Sequence, residues 1–139
     1  MSDQIMPPAK SPCGSCPYRR DVPSGVWSAD EYAKLPEFDK PTWEQPPAVF
    51  LCHQQDGRMC GGWTAVHDMD NSLGLRMAQA IGLMSPETAQ AALNYETATP
   101  LFSSGTEAAE HGLAEIDTPS ERAQRVVGKL AKKPGVTRS

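Results

Sequence analysis

The sequence predicts a small, loop-rich α+β fold, in which an N-terminal half stapled through its cysteines and containing a short strand or hairpin precedes a helical C-terminal half. Three observations carry this expectation. Of the 139 residues only 39% are apolar, and 13 prolines stand beside 11 glycines, so the hydrophobic core should be small for one domain of this length and in need of a supplement. All four cysteines fall between Cys13 and Cys60. Beyond Trp63, apolar residues begin to recur at three- and four-residue intervals, the period of an amphipathic helix.

Residues 1–11 are polar, proline-containing and aperiodic, which predicts a flexible arm. A cysteine-containing domain over residues 12–95 follows. Within it, Ser28-Ala-Asp-Glu31 has the spacing of a capping box and Pro36 forbids long continuation, so a short helix is expected at about 29–35. The proline-punctuated stretch EFDKPTWEQPP reads as a loop leading into Ala48-Val-Phe-Leu-Cys52, a β-rich run. Asp56-Gly57 is a turn signal, so Cys52 and Cys60 are expected to flank one reversal of the chain. Leu73, Met77, Ala80, Ile81 and Met84 mark a helix that Asp70 or Asn71 would cap. Ser85-Pro86-Glu87 closes it and opens another, with serine as N-cap and proline at the first helical position, running to about Asn94. Residues 96–118 read as a linker with a weak helix near 106–113. In residues 119–139, Thr118-Pro-Ser-Glu121 precedes a basic amphipathic helix whose stripe is Ala123, Val126, Val127 and Leu130.

The cysteines stand as C-x2-C, 35 intervening residues, then C-x7-C. A C-x2-C turn brings two thiolates to one metal ion, so Cys13 and Cys16 form half of a tetrahedral site and Cys52 and Cys60 the other half, converging from two sides of a turn. Such a crosslink suits a chain with a small core. The N-terminus lacks an apolar run of signal-peptide length and no stretch approaches a membrane span, so a cytoplasmic protein with reduced thiols is expected. A catalytic dithiol fits poorly, since the arm before Cys13 supplies no strand of the kind a thioredoxin-type C-x2-C follows. Zinc is favoured. A 4Fe-4S cluster stays as the alternative, because Pro17 follows Cys16 and the C-x7-C half is not a second zinc-ribbon knuckle. His53, His67 and Asp68 are candidate additional ligands or outer supports of the site. A metal-dependent enzyme that used His53 or His67, with Asp68 or Asp70 as general base, is a further alternative.

Tyr18, Arg19, Arg20, Trp27 and Trp63 form a candidate binding edge beside the cysteines, able in principle to stack on bases and contact phosphate. The competing expectation is that Tyr18 and Trp27 cover the metal while the arginines pair with acidic neighbours. The net charge of −4 conceals a tail of +5 over residues 119–139 and a body of −9, which argues against a nucleic-acid face over most of the chain and leaves the tail as a local contact.

The stretches PCGSCPYRRDVPSGVW, EYAKLP and PTWEQPPAVFLCHQQDGRMCGGWTAVHDMDN resemble a family of small uncharacterised cysteine-containing proteins of actinobacteria and their phages. The likeness covers about residues 12–77 and rests on the four cysteines, Trp27, Phe50, the Cys52-His53 pair and the Gly62-Trp63 pair in order. It implies kinship and a host range but no reaction. The expected function is a metal-binding interaction module, without catalysis, whose partner is a host protein or a nucleic acid; neither a membrane nor a small-molecule substrate is indicated.

Overall fold

The computed structural model describes residues 4–52 and 57–130. Six α-helices lie within them: α1 (Ala29–Lys34), α2 (Gly61–Val66), α3 (Leu73–Ala80), α4 (Pro86–Leu93), α5 (Gly105–Leu113) and α6 (Glu121–Leu130), with 3-10 turns at Leu35–Asp39, Thr42–Glu44 and Met69–Asn71. The expected strand is not formed. Among the described residues, extended pairing is confined to single bridges, Leu51 with Met59, Met6 with Arg58 and Arg19 with Leu101, so the fold is mostly helical rather than α+β. The reason lies at Gly74, where the backbone of α3 approaches Ala48 and Val49 so closely that a side chain there would strike the Ala48 carbonyl. One flank of the β-rich run is therefore covered by a helix, and its ladder on the other flank stops at Phe50 and Cys52.

The helices begin where short polar side chains can accept from the first free amides. Ser72 accepts from Leu75 N–H and opens α3, one residue beyond the expected Asn71, which instead closes the preceding 3-10 turn. Ser85 accepts from Thr88 N–H with Pro86 at the first helical position of α4, and Ser104 accepts from Glu107 N–H ahead of α5. α6 is opened by Ser120, whose hydroxyl accepts from Ala123 N–H.

α5 packs against α1 and the Leu35–Asp39 turn. Its buried face is Gly105, Ala108, Ala109 and Gly112, small residues at helical spacing that let backbones meet. A Cβ on Gly112 would enter the Tyr32 ring and one on Gly105 would strike the Leu35 carbonyl. One continuous core joins the two halves, running from Cys16, Tyr18 and Trp27 through Trp63 and Leu75 to Ala108, Ala123 and Leu130. Residues 4–9 lie along it: Ile5 N–H donates to Leu83 O, Met6 N–H to Gly57 O, and Tyr95 Oη to Ala9 O. Residues 100–102 run beside Arg19 and Arg20, with Phe102 N–H donating to Tyr18 O and Arg20 N–H to Pro100 O. No helix is long and apolar enough to cross a membrane among the described residues.

Candidate metal centre

The first pair of cysteines sits on a tight turn. Cys16 N–H donates to Cys13 O and Arg19 N–H to Cys16 O, each at 3.0 Å. Between them Ser15 is buried, and its carbonyl accepts from Trp27 Nε1 at 2.7 Å, which fixes the turn to the core. The second pair flanks the reversal around Gly57, with Cys52 N–H donating to Arg58 O and Cys60 N–H to Phe50 O. Cys60 also occupies the N-cap of α2, where its sulfur accepts from Trp63 N–H at 3.5 Å.

The two halves meet at sulfur. Cys16 Sγ lies 3.7 Å from Cys60 Sγ, across 44 positions of sequence, and both residues are buried. A disulfide would bring the atoms to about 2.05 Å, and none of the four cysteines is in one. Cys13 adjoins Ser15 Oγ at 4.0 Å and is coupled to two further thiols. Its hydrogen bond with Cys16 raises its pKa, that with Cys52 lowers it, and burial adds to the rise, so the thiol is pushed up to about 11. For Cys16 the bond to Cys13 acts downward, but the Cys60 thiol and burial override it and hold the group well above the ordinary thiol range. Neighbouring contacts thus link the sulfurs in the order Cys52, Cys13, Cys16, Cys60. Among the described residues, no group of three or more His, Cys, Asp or Glu side chains is drawn up around a common metal position.

His53 lies outside the described residues. His67 is held by partners of its own: Nδ1 is 3.0 Å from Trp63 O and Nε2 is 3.0 Å from Asp39 Oδ1. Asp39 is the hub of that contact, accepting also from Gly105 N–H, Thr106 N–H and the Thr106 hydroxyl at the start of α5. Burial acts to raise its pKa, yet these hydrogen bonds outweigh it and hold the carboxyl below its ordinary value. Asp68 accepts from Asp70 N–H and Asn71 Nδ2, closing the 3-10 turn at Met69–Asn71. His67 therefore ties two segments together while Asp68 caps its own turn, and neither has a cysteine among these partners.

The other residues singled out in the sequence are placed as follows. Tyr18, Trp27 and Trp63 are all buried, at 0%, 0% and 1% exposure, so stacking on any of them would require the core to open. Arg19 pairs with Asp21 at 2.7 Å and donates to Pro12 O, while Arg20 contacts Glu107 at 3.1 Å and lies over the Phe102 ring. The exposed aromatic is instead Trp43, at 80%, on the 3-10 turn beside a cleft of about 560 Å³ that Asp39, Trp63 and His67 also line. One participant, Asp39, was not singled out from sequence and had no local signal there; Gly62 was named only as part of the Gly62-Trp63 pair, without a role.

The chain matches a family of unknown function (DUF6283) over residues 8–132, nearly its whole length, and belongs to it. No curated protein and no solved structure matches it.

Proposed function

For this member of a family with no assigned function, we propose a metal-stapled interaction module in which Cys13, Cys16, Cys52 and Cys60 hold a single zinc ion and no reaction is catalysed. The observation that carries this is the 3.7 Å between Cys16 Sγ and Cys60 Sγ. Metal–sulfur bonds of about 2.3 Å in a regular tetrahedron set sulfur–sulfur edges at about 3.8 Å. In a 4Fe-4S cluster each thiolate binds a different iron, which asks for wider spacing. The coupling of Cys13 to both Cys16 and Cys52 supports the participation of the remaining pair. Bound zinc would join the first turn, the reversal around Gly57 and the start of α2, as its structural sites do elsewhere by closing all four positions with protein ligands.

The interaction half of the proposal rests on Trp43. A tryptophan left 80% exposed on a turn that Thr42 Oγ1 ties to Asn71 O and Gln45 ties to Leu73 N–H is a rigid anchor for a macromolecular partner. Origin in an actinobacterium or its phage, and action in the cytoplasm on a host protein, belong to the same proposal. The test is purification without oxygen followed by elemental analysis and an absorption spectrum. About one zinc per chain and no visible colour is the expected result; a brown protein with iron and sulfide overturns the zinc reading.

A further inference from the structure

We propose that Gly62 is the positioning residue that sets the sulfur spacing of this centre and hence its preference for one ion over a cluster, an inference that rests on the metal reading above. Two glycines invite comparison. Gly14 lies inside the C-x2-C turn, where sequence alone would place the steric demand, yet a Cβ added there meets nothing within 4 Å. Gly62 is two residues past Cys60, in the first turn of α2, and a Cβ on it would stand 2.6 Å from Cys16 Sγ and 2.7 Å from Tyr18 Cβ. Tyr18 cannot retreat, and Cys16 can yield only by swinging its sulfur, since its backbone is fixed. Tyr18 is wholly buried and its backbone is bonded to Phe102, while Cys16 is 1% exposed and belongs to the turn that Trp27 fixes through Ser15.

The bare backbone of α2 at Gly62 is thus the floor on which Cys16 Sγ rests, and it is the same helix whose N-cap carries Cys60. One element holds Cys60 by sequence and admits Cys16 by the absence of a side chain. Their 3.7 Å separation follows from that pairing. A methyl group at position 62 would push Cys16 Sγ away from the helix and open the edge of the tetrahedron.

The test is titration of the metal-free full-length chain with cobalt(II), whose absorption reports tetrahedral thiolate coordination, followed by competition with zinc. Gly14→Ala serves as the control within the knuckle. Gly112→Ala serves as the control for lost stability, because its Cβ would enter the Tyr32 ring on α5, away from the cysteines. The expected result is wild-type cobalt spectra and affinities for both controls, and for Gly62→Ala an affinity at least about tenfold weaker with a loss of the tetrahedral bands. If Gly62→Ala is destabilised when metal-free, the comparison with Gly112→Ala under saturating cobalt still decides. Tetrahedral bands in the control alone uphold the inference; bands of equal strength and affinity in both overturn it. A wild-type chain that binds neither cobalt nor zinc overturns the metal reading itself, an outcome separate from equal binding by Gly62→Ala.

Discussion

Asp39 shows how one side chain can join three segments. Its carboxylate takes two backbone amides and a hydroxyl at the start of α5 and meets His67 from the chain beyond α2. Its folded pKa lies below the ordinary carboxylate value, so ionisation favours the folded state above that value, and the contribution is lost as pH falls through the lower, folded pKa. Asp39→Ala should lower stability at pH 7 by about 1–2 kcal/mol, the usual cost of a lost helix cap. Thermal unfolding followed from pH 7 to pH 3 should show the gap between variant and wild type narrowing; a gap constant with pH would disprove the electrostatic account. The Cys13–Cys16 turn and the reversal between Cys52 and Cys60 were legible from spacing because each is local. Asp39 was not, because its partners lie 28 and 66 positions away and nothing near it announces them.

Among the elements, α4 and α6 were legible from their polar caps, whereas α2, made by close contact, was not. α4 starts at Ser85-Pro86 as its sequence predicts, and Ser85→Ala should cost about 1 kcal/mol, measured by urea denaturation. α2 opens on Gly61-Gly62, poor helix formers, yet both glycines sit in close contact, Gly61 with Tyr95 and Gly62 with Cys16. The reverse error occurred at Ala48–Cys52, where β propensity was real but α3 covers the backbone. The helix expected to be weak near 106–113 is α5, whose small residues are its packing face; Gly112→Ala should therefore destabilise by about 1–3 kcal/mol, visible as a lower melting temperature. Removing residues 119–139 would strip Ala123 and Leu130 from the core. The truncated chain should melt earlier yet keep its metal content by elemental analysis, as α6 contributes no cysteine.

For the whole molecule, the proposed metal binding would be linked to acidity through the thiols. With Cys13 raised to about 11 and Cys16 higher than an ordinary thiol, these two are protonated at neutral pH in the metal-free protein, and a metal must displace those protons. Zinc affinity should therefore climb steeply between pH 6 and pH 8, with proton release measurable in weakly buffered solution; affinity flat across that range would contradict thiol ligation. The sign for the metal-free chain is opposite. Raised folded pKa values stabilise below the ordinary thiol value of 9.0, and that stabilisation is lost as pH rises toward 11, so its melting temperature should fall over the same interval.

The 44 positions between Cys16 and Cys60 also set a schedule for biosynthesis. At about 5–20 residues per second, the ribosome delivers Cys60 some 2–9 s after Cys16. The floor beneath Cys16 arrives only then, with Gly62, and Phe102, which bonds to Tyr18, later still. During that interval the nascent chain carries two thiols on a turn without its later supports, so the N-terminal half cannot complete its packing until Gly62 and Phe102 have been made.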